Sequence, residues 1–112
     1  MEKCSVYLIK AEIDNTIQYK IGLSKHPETR IKQLKTANPN IIGVDEVYVA
    51  ESRSIAHKIE TLVQNYYIEK KIDGEWFINI NKEDFLQLCK KFENNAKVYL
   101  DIQEKIKFDK EI

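Results

Sequence analysis

Short runs of alternating apolar and polar residues in the first half of the chain are typical of β-strands. We expect strands over residues 5–10, 17–22 and 43–50. Turn-forming residues at 14–16 separate the first two strands, which should therefore form an antiparallel hairpin. Pro27 suits the first turn of a helix, where its missing backbone N–H costs no hydrogen bond.

Three segments after residue 26 are predicted to be helical. The first helix should run from Pro27 to about Lys35, and a second should begin at a cap formed by Ser52 or Ser54. The apolar face of the second helix comprises Ile55, Ile59, Leu62, Val63 and Tyr66. A third helix is expected after Asn81. Its apolar stripe comprises Phe85, Leu88, Cys89, Phe92, Ala96 and Tyr99. The pattern leaves open whether residues 81–108 form one helix or two.

The order of these elements predicts an α+β fold, with a small three-stranded antiparallel sheet packed by helices and a C-terminal helix. The 112 residues suit a single domain, 1–112, with a core at 5–80 and a helical extension at 81–112. A composition of 43% hydrophobic and 32% charged residues is typical of globular proteins and argues against disorder.

Targeting and redox signals are weak. No apolar run approaches the about 20 residues that a membrane span needs, and the N-terminus lacks a signal-peptide pattern. Cys4 and Cys89 form no metal-binding or redox motif, so two reduced thiols are expected. We expect a cytoplasmic protein (in the host cytoplasm if the source is viral) with no membrane partner. The lysine- and isoleucine-rich composition suits a phage, a virus or a low-GC bacterium.

Charge is balanced overall but uneven along the chain. Lys+Arg and Asp+Glu both number 18, yet Glu28 is the one acid between residues 20 and 35. A local basic segment is a candidate for binding nucleic-acid phosphates. Besides Arg30, its candidate binding residues are Lys20, Lys25, His26, Lys32 and Lys35.

Several common catalytic motifs are missing. The sequence contains no GxGxxG or GxxxxGK[ST] phosphate loop, no HExxH or Cys/His zinc pattern, and no GxSxG nucleophile motif. Tyrosine, arginine and glutamate are the remaining candidates for chemistry.

A series of short motifs contains those residues. VYL at 6–8 is followed by YKIG at 19–22, by SKHPETRIKQL at 24–34, by a helix with Glu60, and by GEWF at 74–77. In this order the motifs resemble the GIY-YIG nuclease superfamily, specifically its phage-type branch. The resemblance covers roughly residues 5–80 and implies a GIY-YIG-like fold.

By this resemblance the chain is a divalent-metal-dependent nuclease with Tyr7, Tyr19, Arg30 and Glu60 as catalytic residues. The resemblance assigns Glu60 to the metal, Mg²⁺ or Mn²⁺. A forked guanidinium such as that of Arg30 suits a phosphate. We expect Tyr7 to accept a proton and Tyr19 to donate a hydrogen bond to the phosphate. Tyrosine is a weak base at its ordinary pKa of about 10 unless cations favour its ionised form.

Two features complicate this assignment. Adjacent residues in a strand point to opposite faces, so Tyr19 and Lys20 cannot line one site without a bulge. Lys20 is therefore ranked below Lys25 and His26 as a helper, and Glu75 is given a structural role. Val6 replaces the glycine of the first motif, and Gln64 stands where relatives often carry histidine.

The expected function is hydrolysis of DNA phosphodiester bonds by an endonuclease, and RNA stays open as a substrate. Because little chain lies outside the core, a homodimer or a larger partner protein would supply target recognition. Two alternatives remain: a catalytically weak or inactive nucleic-acid-binding module, and a protein-interaction module that uses the C-terminal helix.

Overall fold

A long hairpin lies at the centre of the fold in the computed structural model, which describes residues 2–111. Its strands are β1 (Cys4–Ile13) and β2 (Thr16–Ser24), paired without a shift from Ser5↔Ser24 to Ile13↔Thr16. Asp14 and Asn15 have φ values of 52° and 63°. A two-residue type I′ turn requires this conformation at both positions, and Asp and Asn adopt it more readily than most residues. The predicted hairpin is confirmed.

The sheet has five antiparallel strands, so the prediction of three is wrong. β3 (Ile41–Ala50) pairs with β1, and two short strands, β4 (Lys71–Asp73) and β5 (Trp76–Phe77), extend the other side. The strand order is β3-β1-β2-β5-β4. Strands of three and two residues are too short to show an alternating pattern, which explains why the predicted sheet did not include them.

Three α-helices follow the predicted order: α1 (Pro27–Ala37), α2 (Arg53–Tyr66) and α3 (Lys82–Glu111), with a short 3-10 helix at Ile68–Lys70. The Ser52 hydroxyl accepts a hydrogen bond from the Ile55 N–H, and the Asn81 side chain accepts one from the Asp84 N–H. Both caps are confirmed, and residues 82–111 form one helix rather than two. The Tyr99 side chain lies outside the described side chains.

The helices cover opposite faces of the sheet because side chains alternate along β1. Tyr7, Ile9 and Ala11 pack with Ile31 of α1, and we call this side the α1 face. Val6, Leu8 and Ile21 pack on the opposite side, which we call the α2/α3 face. Its helix residues include Ile59, Val63, Phe85 and Cys89.

Both cysteines are buried and free. Burial raises the pKa of the Cys89 thiol to about 12, with a smaller contribution from Glu93. Such a thiol is almost entirely protonated and poorly nucleophilic at neutral pH. Among the helices described within residues 2–111, none has the length and hydropathy needed to cross a membrane.

A buried carboxylate joins α3 to the connection between β3 and α2. Glu93, 8% exposed, accepts hydrogen bonds of 3.1 Å from the Tyr48 hydroxyl and from the Glu51 backbone N–H. Burial, followed by the Glu93 charge, raises the pKa of Tyr48 to about 12. These bonds fix the chain where it enters α2.

We expect Glu93→Ala to lower the free energy of unfolding by roughly 1–3 kcal/mol, because it leaves two polar groups without their acceptor. Urea denaturation of the variant and the wild type measures the difference. Glu69→Ala, at an exposed carboxylate, is the matched control and should change stability little. Equal effects of the two substitutions would contradict a special role for Glu93.

Candidate active site

Tyr7 lies on the α1 face with its ring over Gly22. The two residues are directly paired across β1 and β2, and Tyr7 is only 3% exposed. A Cβ atom at position 22 would overlap the Tyr7 ring and hydroxyl. Glycine is therefore required here for close approach, and it allows the phenol to lie directly across the backbone of β2.

Lys20 shares this face, because it is two residues before Gly22 in a strand without a bulge. Its Cα is paired with Ile9 on one side and with Trp76 on the other. The Lys20 ammonium lies 2.9 Å from a Glu75 carboxylate oxygen. The hydrogen bond and charge of Lys20 lower the pKa of Glu75.

Tyr19 points to the α2/α3 face instead. It is paired with Lys10 and Phe77 and packs against the larger core cluster. The structure therefore places Tyr7 and Tyr19 on opposite faces of the sheet. As expected, Tyr19 and Lys20 point to opposite faces of the sheet. Lys20 lies on the same face as Tyr7. The two-residue spacing of Lys20 and Gly22 in one strand is the sequence feature that indicates this shared face.

The outer edge of β2 becomes free just after Lys20. β5 is paired only with Tyr19 and Lys20, and the Ile21 carbonyl accepts a 3.1 Å hydrogen bond from the Gln64 amide instead. This bond ties α2 to the edge of β2. Gln64 thus makes a structural contact.

Glu60 is one turn before Gln64 on α2 and is half-buried. Burial is the largest cause of its raised pKa. His57 and Arg53 oppose this shift, whereas the nearby charge of Glu75 adds to it. Glu60 is therefore within electrostatic range of the carboxylate that binds Lys20. Glu75, for which the sequence predicted a structural role, thus binds Lys20 and also influences the charge of Glu60.

The remaining predicted cations lie at or near α1. Arg30, Lys32 and Lys35 are exposed on this helix, and Arg30 directly precedes Ile31 of the α1 face. Lys25 forms a 2.7 Å ion pair with Glu2. Both side chains of that pair are exposed, so the pair is weak and leaves Lys25 accessible.

His26 is the N-cap residue of α1 and directly precedes Pro27. Its side chain makes no capping bond, and its backbone N–H donates to the Ser24 hydroxyl at 3.0 Å. His26 is therefore a helix-entry residue in this fold.

The donor set suits only one kind of metal site. Within the part of the chain that the structure describes, no group of three or more His, Cys, Asp or Glu side chains could hold a metal ion. Glu60, with Glu75 and the exposed His57 nearby, offers mainly carboxylate oxygens. Such donors fit Mg²⁺, which keeps several of its waters and needs few protein ligands. They do not fit a structural zinc site.

The chain belongs to the T5orf172 domain family, whose model matches residues 5–93. This family is phage-associated, is related to nuclease folds, and consists of nuclease-like or DNA-binding domains. The matched region contains Tyr7, Lys20, Arg30, Glu60 and Glu75. No curated protein and no solved structure matches the chain.

We expect Glu60→Gln to stabilise the fold at neutral pH in buffer containing EDTA. Because the pKa of Glu60 is raised in the folded state, its protonated form favours folding. That contribution is fully present below the pKa of the unfolded chain and is lost as pH rises through the folded-state pKa. Glutamine mimics the protonated form, so its advantage should appear above that range and vanish in acid.

Urea denaturation at several pH values, with Glu69→Gln as the exposed control, measures this difference. A Glu60→Gln variant no more stable than the wild type at pH 7 would show that burial of this carboxylate costs nothing.

Proposed function

We propose that the chain is a metal-dependent endonuclease of the GIY-YIG type that hydrolyses DNA phosphodiester bonds. One observation carries the proposal. Tyr7 and Lys20 share the α1 face beside Gly22, and Lys20 binds Glu75, whose charge reaches Glu60 on α2. This arrangement supports a site that combines a proton acceptor, a cation and carboxylates. Membership of a nuclease-like domain family supports the same conclusion.

Hydrolysis of a phosphodiester requires an activated water and stabilisation of the negative charge on the phosphate. In this proposal Tyr7 accepts the proton of the attacking water. The Lys20 ammonium, released from Glu75, donates to a phosphate oxygen. Lys20 thus takes the phosphate contact that the sequence alone assigned to Tyr19, because Tyr19 packs on the other face.

Arg30 and Glu60 complete the set. The Arg30 guanidinium is exposed on α1 and is free to bind two phosphate oxygens. Glu60 would hold Mg²⁺ or Mn²⁺, which supplies positive charge to the phosphate and to the leaving oxygen. Removing this metal with EDTA should abolish cutting.

Lys25, His26, Lys32 and Lys35 would bind the phosphates that flank the cut. Binding that depends on such contacts weakens steeply as salt rises. A second copy or a larger partner protein would add target recognition.

Incubation with supercoiled plasmid and Mg²⁺ or Mn²⁺ tests the function directly. The wild type should nick the plasmid, and Glu60→Gln should reduce the rate by at least about 100-fold because it removes the proposed metal ligand. Glu69→Gln is the control and should cut like the wild type. Plasmid left intact with both metals would defeat the proposal. If the same protein still retarded DNA in a salt-dependent manner, it would be a DNA-binding module.

Paired substitutions distinguish the two tyrosines. Tyr7→Phe should lower the single-turnover rate by about 100-fold or more, in the range typical of a lost proton acceptor. Tyr19→Phe keeps the buried ring and should change the rate only a few-fold. Circular dichroism checks that both variants fold. A larger loss for Tyr19→Phe than for Tyr7→Phe would place the chemistry on the α2/α3 face.

A further inference from the structure

A cleft of about 380 Å³ separates α2 from the hairpin of β4 and β5. Gln64 and Asn65 line it from α2, and Lys71, Glu75 and Phe77 line it from the hairpin. Its volume falls in the range of small-ligand sites, which combine apolar surface with a few placed polar groups. None of the roles assigned above uses this cleft.

The cleft is continuous with the candidate active site. Glu75 lines the cleft and also binds Lys20 at 2.9 Å. Gln64 lines the cleft and also bonds the free edge of β2, one turn from Glu60. Because Glu75 binds Lys20 and also lines the cleft, a strand whose phosphate binds Lys20 can place a neighbouring nucleotide at the cleft.

The lining favours a neutral, planar, hydrogen-bonding group. Ile68 lines the cleft and is 53% exposed, so it offers apolar surface. Asn65 is exposed with both an amide donor and an acceptor. The hydrogen bond from the Gln64 nitrogen to Ile21 fixes that side chain and leaves its oxygen as an acceptor. Lys71 and Glu75 both line the cleft, so its charges balance and the lining suits a neutral group better than a phosphate. Amide side chains discriminate between bases through paired hydrogen bonds.

We propose that this cleft binds one nucleobase next to the cut and gives the nuclease a base preference. This inference rests on the proposed function. A base must leave its pair and its stack to enter a cleft between a helix and a hairpin. The preferred substrate is therefore DNA with an unpaired nucleotide beside the cleaved bond.

Binding of single-stranded DNA in EDTA tests the cleft separately from cutting. The probe is a fluorescent 12-nucleotide DNA series in which one position is A, C, G, T or abasic, with affinity measured by anisotropy. The wild type should bind one base better than the abasic probe, by about tenfold for a paired amide contact. Asn65→Ala should abolish this difference while retaining weak binding of every probe.

Two controls define the result. Asn95→Ala removes an equally exposed amide on α3 and should leave the base preference unchanged. Lys71→Ala should weaken all five probes alike, because its ammonium contributes charge rather than base recognition. Equal affinity of the wild type for all five probes, an unchanged preference in Asn65→Ala, or no binding of any probe would overturn the proposal.

The binding result is independent of the nicking assay. Base preference without plasmid nicking would support the base-binding cleft and refute the endonuclease proposal. Nicking without any base preference would support the endonuclease proposal and refute the base-binding cleft.

Discussion

The pairing of Tyr7 with Gly22 across the central hairpin is the constraint on which the candidate site depends. Side chains alternate along a strand, so a one-residue slip would move Tyr7 and Lys20 to different faces. The two-residue turn at Asp14 and Asn15 fixes this register at one end of the hairpin. Gly22 then allows the Tyr7 ring to lie against the backbone, as no larger residue could. Local turn geometry thereby determines which polar groups meet about seven residues farther along each strand.

The second determinant is the shortness of β5. A longer strand would occupy the whole edge of β2, and α2 could not contact it. Because β5 pairs with only two residues of β2, the Ile21 carbonyl is left for Gln64. That contact holds Glu60 next to the edge, where partial burial makes its charge costly. The carboxylate is thus retained at a cost in stability, as is common at functional sites.

Glu75 illustrates why the candidate site was only partly predictable. Its position after Gly74 in a tight turn gave no sign that it would contact Lys20, fifty-five residues earlier in the chain. Tyr7, Arg30 and Glu60 could be selected from motif order, since each is a residue type suited to phosphate chemistry. Tyr19 was selected on the same grounds, but its orientation depended on the strand face. The alternation of side chains along a strand correctly predicted that Tyr19 and Lys20 point to opposite faces. It did not predict which of the two lies on the same face as Tyr7.

The sequence by itself determined the hairpin, the three helices with two of their caps, and the basic segment around α1. These features depend on residues close together in the chain, whose spacing and turn preferences act locally. Tertiary structure alone decided the five-stranded sheet, the separation of the two tyrosines, the Lys20–Glu75 contact and the cleft beside Asn65. Each of those depends on pairing between distant segments, and the short strands β4 and β5 gain their conformation only from that pairing.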